Sequence, residues 1–250
     1  MPISSEHDQA DRLINPPESW IILNYHRVGP PARGARYRGM FVTAAHLRSQ
    51  IRWLRRQGFH ILPVAEALTC GLQKVASLSF DDGYEDNLRE GFPVLRSEGV
   101  RASLYLVTGD VGKKQHSWNE AGERLAADLL DWDQVQLLRS NGWEIGSHGR
   151  DHIHLGRKSL QEQECCLHQS VDDIESILGE RPLTLAYPYG SYGPESLQAA
   201  RDAGFLAALT TEQGLNSPQS DLLRLRRIPL RGYRWHHHLW FRRYLNSLYP

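Results

Sequence analysis

The 250-residue sequence has three cysteines, and two of them, Cys165 and Cys166, are adjacent. So few, and an odd number, cannot supply a disulfide framework for a chain of this size. No apolar run approaches the ~18 residues that a membrane-spanning helix needs. Nor is there an excess of one charge. Lys plus Arg equals Asp plus Glu at 29 each, so no global field draws the chain to nucleic acid or to an anionic surface. Low-complexity stretches and linkers are missing too. The first twenty residues, MPISSEHDQADRLINPPESW, are polar and carry acids, unlike a secretory signal, which leads to the expectation of a cytoplasmic protein. Residues 1–17 read as a loose tail and 18–250 as one large domain. What remains is an ordinary globular composition, 40% hydrophobic and 23% charged, with twelve histidines that call for an explanation.

A rhythm recurs along the chain: a polar helix-prone stretch, a glycine, then a short apolar run. It occurs at LRRQGFHIL (Gly58), LRSEGVRASLYLV (Gly99), LLRSNGWEIG (Gly142), SILGERPLTLAY (Gly179) and ARDAGFLAAL (Gly204). Glycine just past a helix end suits the left-handed C′ position, and the run after it reads as a buried strand. Thr43 opens a helix with Leu47, Ile51 and Leu54 on one face. Ser159 and Glu162 form a capping-box pattern ahead of Leu160, Leu167, Val171, Ile174 and Leu178. Alternating strands and helices imply a parallel sheet of right-handed βα units. About seven units in one domain point to an α/β fold with a closed or nearly closed barrel.

In such folds the functional face lies beyond the strand C-termini. Four apolar runs end there in unusual residues. WIILNYH ends in Tyr25-His26, VASLSF runs into Asp81-Asp82-Gly83, WEIGSH delivers His148, and LTLAY leads to Pro188-Tyr189-Gly190. Each has a plain alternative: Asp-Gly and Pro-Tyr-Gly are turn signals, and a lone histidine is commonly a satisfied polar residue. Their coincidence on one face favours a site. His148 and His152 are four apart, so one helical turn would aim both imidazoles at one ion. The position of the internal base in a His-Glu-x-x-His pattern is Gly149 here, so a base must come from elsewhere. The pair Asp81-Asp82 can supply both missing parts, one carboxylate as third ligand and the other as base. Two histidines and a carboxylate with an open position is the pattern of catalytic zinc.

SLSFDDGYEDN, GSHGRDHIHL and AYPYG, in this order and spacing, resemble the motifs of the polysaccharide deacetylases, the NodB-type metal-dependent carbohydrate esterases. The resemblance spans nearly the whole chain, from ILNYHRV to LRRIPL. It implies a distorted (β/α) barrel and hydrolytic removal of N-acetyl groups from an N-acetylhexosamine-containing sugar or polysaccharide. It further implies one zinc or other divalent ion on Asp82, His148 and His152, with Asp81 as catalytic base. Tyr189 would supply a backbone N–H to the oxyanion, with Pro188, Gly190 and Arg227 as candidate substrate contacts. Where the family often has an arginine that pairs with the base, this chain has Ala186, and Arg227 of LRRIPL is the candidate replacement. No clear late Leu-x-His motif provides the acid. The early YHRV at 25–28 resembles the subgroup acting on biofilm poly-N-acetylglucosamine, which makes His26 the acid.

Competing readings are a deacylase of a small or lipid-linked sugar, a catalytically impaired carbohydrate-binding homologue, and a non-haem iron oxygenase, which needs an all-β barrel. His236, His237 and His238, between Trp235 and Trp240, read as part of a packed terminal helix. The C-terminal RWHHHLWFRRYLNSLYP has a composition suited to peripheral membrane contact, but packing over the barrel is the favoured reading. Trp118, Trp132 and Trp143 could stack on sugars, although burial is the simpler role.

Overall fold

The computed structural model describes residues 14–31, 38–116, 128–230 and 235–248, with side chains of the last stretch only from 241 onward. In chain order it forms β1 (Ser19–Tyr25), β2 (Arg27–Val28), β3 (Phe41–Val42), α1 (Ala44–Arg56), β4 (His60–Ile61), α2 (Val64–Ala67), β5 (Lys74–Phe80), α3 (Phe92–Ser97) and β6 (Ser103–Leu106). There follow α4 (Trp132–Ser140), β7 (Glu144–Ser147), α5 (Leu160–Leu178), β8 (Thr184–Ala186), α6 (Pro194–Asp202), β9 (Ala207–Leu209), β10 (Ile228–Pro229) and α7 (Trp235–Leu248). The five punctuating glycines close helices as expected, all with φ between 59° and 83°. The Thr43 hydroxyl accepts the His46 N–H at 3.2 Å, and Ser159 and Glu162 close their reciprocal box at the start of α5. A second box, Asp131 with Gln134, opens α4 and escapes the sequence reading.

The main sheet is parallel and ordered β10-β1-β5-β6-β7-β8-β9, with β4 pairing the first half of β5. A single segment joins its two ends. Leu225 donates its N–H to Ala208 O (2.9 Å) beside β9, and a few residues later Ile228 and Pro229 pair with Leu23 and Asn24 of β1. The sheet therefore curls into a distorted (β/α) barrel. The distortion lies in that closing wall, where a single 3-10 turn, Leu222–Arg224, stands in place of a helix between β9 and β10. A parallel sheet of this kind is incompatible with the all-β barrel of the oxygenase alternative.

Strand alternation sorts the core. Trp20, Ile22 and Val75 point inward with Tyr105, Leu209 and Leu225. Ile21, Leu23, Tyr25, Leu78 and Phe80 face outward under Leu47, Leu54, Leu95, Leu138 and Phe241. Helices α5 and α6 cover Leu185 and Ala208 with Leu167, Val171 and Ala199. Toward the strand C-termini the inward face turns polar, through Asn24, Ser79 and Asp81, all buried. Trp143 belongs to the outer core, its ring 5.4 Å from Phe80, and Trp132 packs partly buried against the same core. Trp118 and residues 1–13 lie outside the described residues, as do the side chains of His236, His237 and His238, whose backbone is helical. Within the stretch read as a tail, Asn15 exchanges backbone hydrogen bonds with Leu68 and Gly71, and Pro17 is buried. No helix among the described residues is long and apolar enough to cross a membrane.

Candidate active site

β1, β5, β7 and β8 end on one face and deliver the residues singled out by the sequence. Asp81 extends β5, its N–H bonded to Tyr25 O at 3.0 Å, and so keeps the inward direction of Ser79. The next residue leaves the strand in the left-handed region, Asp82 at φ 75° and Gly83 at 72°. That turn sends the two adjacent carboxylates to different places. Asp82 Oδ1 lies 3.5 Å from His148 Nε2 and 3.4 Å from His152 Nε2, and ligand atoms of all three residues fall within 4.8 Å of one another. Two ligand atoms each about 2.1 Å from one tetrahedral ion would stand ~3.4 Å apart, so the donors fit a small divalent cation. His148 Nδ1 sits 2.7 Å from Ala186 O. A carbonyl only accepts, so Nδ1 carries a proton, which leaves Nε2 as the atom that would offer its lone pair to an ion once it has given up the proton it shares with Asp82.

Among the described residues the non-glycines with positive φ are Asp82, His152 (50°) and Tyr189 (59°). Such conformations cost about 1 kcal/mol or more each, and all three occur here. Tyr189 lies against His152, ring centroids 4.4 Å apart, and stacks on His154 at 3.9 Å.

Asp81 is held from two sides. Arg227 Nη1 donates to its Oδ1 at 2.7 Å, and Asn24 Nδ2 donates to Oδ2 at 2.8 Å. Arg227 in turn donates Nε to Thr210 O at 2.8 Å and Nη1 to Ser79 Oγ at 3.3 Å. Burial would raise the Asp81 carboxyl, but Arg227, His148 and His26 outweigh it and hold it below the usual range. Asp82 is likewise opposed by burial, yet hydrogen bonding to His148 and His152 keeps it well below the ordinary value. Burial depresses His152 to about 4, whereas at His148 the hydrogen bond to Asp82 and the two carboxylate charges prevail over burial and raise it. His26 follows Tyr25, next in line to Asp81, and its charge lowers both carboxylates.

Two of the candidate substrate contacts are buried. Arg227 is 1% exposed and lies behind Asp81, and Pro188 is buried, so neither presents a surface to a ligand. Gly190, at φ 65°, has a structural duty: a Cβ there would overlap the Thr211 side chain. Together these residues build the turn that exposes Tyr189, which is 40% accessible. Ala186 contributes its carbonyl to His148, and the arginine that its side chain lacks arrives from Arg227 instead.

Several contributors were not singled out from the sequence. Asp86 accepts from Arg27 Nε at 2.7 Å and from Val28 N–H at 3.0 Å, and Asn87 Nδ2 donates to His26 O at 2.8 Å. The second half of DDGYEDN thus clamps the YHRV segment. Arg27 also stacks over Tyr84 at 4.6 Å, and the Tyr84 hydroxyl, raised by burial and the Asp82 charge, hydrogen-bonds Asp82. His116 packs edge-on against Tyr84 at 4.9 Å. Asp86, Asn87 and Tyr84 stood inside a motif already noted, and Asn24 inside the WIILNYH run; His116 had no local signal.

Residues 69–208 match the family model described as polysaccharide deacetylase. The putative polysaccharide deacetylase YxkH of Bacillus subtilis (strain 168) is 27% identical over 218 residues, covering 85% of this chain and 71% of that protein. Poly-beta-1,6-N-acetyl-D-glucosamine N-deacetylase of Staphylococcus aureus is 23% identical, over 87% of this chain and 81% of its own length. Among solved structures, Streptococcus pyogenes deacetylase PplD in complex with acetate superposes with TM-score 0.76 at 24% identity, covering 94% of this chain and 100% of that one. IcaB from Ammonifex degensii gives 0.75 at 23%, covering 91% and 99%. At these identities the two structures speak for the shared fold.

Proposed function

The chain belongs to the polysaccharide deacetylase family of metal-dependent hydrolases, and from that membership we propose that it removes N-acetyl groups from an N-acetylglucosamine polymer, releasing acetate and leaving free amines. The observation that carries this reading is the Asp82, His148 and His152 cluster with its 3.4–3.5 Å spacings, one residue from an Asp81 ionised by Arg227. The poly-β-1,6-linked substrate in the name of the staphylococcal relative makes that linkage the first candidate.

Asp82, His148 and His152 would hold the ion, and the tetrahedral spacing favours zinc. When bound, it would supply Lewis acidity to the acetamide carbonyl and to the water that attacks it. Asp81 takes the proton of the attacking water, kept ionised for that task by the guanidinium behind it and correctly aimed by Asn24. Tyr189 offers its backbone N–H to the oxygen that gains negative charge, from a turn locked by Pro188 and Gly190. His26, at the end of β1, donates the proton without which the amine is a poor leaving group. The clamp of Asp86 and Asn87 on its segment fixes that donor at the rim.

The test is acetate release by the zinc-loaded protein from β-1,6- and β-1,4-linked N-acetylglucosamine oligomers and from lipid-linked N-acetylated sugars. Turnover of the oligomers is expected. Release from lipid-linked sugars alone would replace the polymer reading with that of a small-sugar deacylase, and no release from any would favour the impaired homologue.

A further inference from the structure

Helix α5 carries two stripes. Leu167, Val171, Ile174 and Leu178 form the apolar one, buried in the core. Beside it runs a polar row, Cys166, Ser170 and Asp173, spaced i, i+4, i+7 and hence along one line of the helix. Every member of that row reaches the segment that carries His148 and His152. Cys166 Sγ, buried, accepts the Arg150 N–H at 3.3 Å. Ser170 Oγ lies 2.6 Å from Ser147 Oγ, which accepts the Gly149 N–H at 3.0 Å, and the Ser170 hydroxyl donates to Leu167 O at 2.8 Å. The directions agree: a chain of donors runs from the loop through two hydroxyls into the helix backbone. Asp173 accepts from Thr108 Oγ1 at 2.7 Å and pairs with Arg150 Nε at 3.5 Å. On the opposite side Thr108 and Gly109 donate their N–H groups to Gly149 O (3.2 Å) and Arg150 O (3.0 Å).

The loop is close-fitting as well as tethered. A Cβ on Gly149 would stand 3.2 Å from Cys166 Sγ, and one on Gly109 2.7 Å from Arg150 O. Backbone between two ligands that is gripped from both sides has one conformation available. We propose that the row Cys166–Ser170–Asp173 is a positioning device, a rigid strut of α5 that fixes the separation and aim of the two histidines before any ion binds. The inference rests on the reading of Asp82, His148 and His152 as ligands and extends it to residues that touch neither ion nor substrate. A preset loop spares the ion the cost of ordering its ligands, which is how supporting partners add affinity.

The test uses the full chain and zinc, with affinity measured by competition against a chromophoric chelator. Cys166→Ala and Ser170→Ala should each weaken zinc binding by about 10–100-fold, the usual effect of losing a supporting partner. Cys166→Ser keeps an acceptor and should restore binding to within about threefold. The visible absorption of the cobalt-substituted protein should change in the alanine variants and not in Cys166→Ser, a response that loss of stability alone does not produce. Should a buried variant fail to fold, Asp173→Ala, on the more exposed end, provides the same readout. Zinc affinity within about threefold of the unmodified protein in the alanine variants, or Cys166→Ser as weak as Cys166→Ala, would overturn the strut. Zinc binding that survives His148→Ala would instead overturn the ligand reading, and the strut with it.

Discussion

Replacing Arg227 with Met isolates the electrostatic support of Asp81 while keeping the bulk of the side chain. The two partners are 2.7 Å apart, with side chains only 2% and 3% exposed, so water neither screens the pair nor replaces the lost donor. Removing one member of such a pair costs ~3–5 kcal/mol, a large share of the ~5–15 kcal/mol that holds a domain folded. The pH dependence should change sign. In the unmodified protein Asp81 titrates in the folded state below its unfolded value. Its contribution to stability is therefore present above the unfolded carboxylate range and is lost as the pH falls through the folded value. Without the guanidinium, burial prevails over the remaining histidines and the folded value rises. The same group then favours folding only at low pH and loses that contribution as the pH rises. The acid limb of the kcat/KM profile for acetate release, which reports the free enzyme's base, should move toward neutral pH in parallel. Melting temperatures across the acid range and the rate profile of the folded fraction are the two measurements. Arg227→Lys, a point charge without the fork, should fall between. A Met variant whose rate profile superimposes on the unmodified one, with only its melting temperature lowered, would refute the argument and leave Arg227 a packing residue.

Asp81→Asn should cut turnover by about 10²–10⁴-fold, the usual share of a general base, while zinc content by metal analysis stays unchanged. His26→Ala should depress kcat for an acetamide far more than for an activated ester, because only the amine needs a proton to leave; equal losses would make it a positioning residue. Gly190→Ala should lower stability by about 1 kcal/mol or more, from its φ of 65° and the encroachment on Thr211. It should also reduce kcat by displacing Tyr189, both read by thermal unfolding and steady-state kinetics.

The features legible in the sequence were those that depend on near neighbours. A glycine at Gly142 or Gly204 ends a helix because only local backbone sterics decide it, and apolar periodicity marks the strand that follows wherever that strand packs. The four strand ends were legible for the same reason: β-strand C-termini share one face of any parallel α/β fold, so Tyr25-His26, Asp81-Asp82, His148 and Tyr189 could be assembled before their contacts were known. The spacing of His148 and His152 marked them as a pair, but the helical turn expected between them is absent: 148–152 is a loop with Gly149 at φ 70° and His152 at φ 50°, and that loop brings the two imidazoles together. Tertiary structure decided whatever depended on distance along the chain. Residue type alone assigned Asp81 and Asp82 to no particular task; the left-handed turn at Asp82 and the guanidinium at Asp81 separate them. Arg227 lies 146 positions from Asp81, and only the closing of the barrel through Leu225 and Ile228 sets one beside the other. Ala186 looked like a loss because its side chain was the visible part, whereas the fold uses its carbonyl. Pro188 reads as accessible in a turn-rich tripeptide, yet packing buries it. The polar row of α5 was hidden for the same reason, since a cysteine, a serine and an aspartate on a helix acquire a task only when another element is brought against them. Local sterics act within a few residues and are written in sequence order, whereas register, burial and charge pairing are properties of surfaces that meet only once the chain has folded.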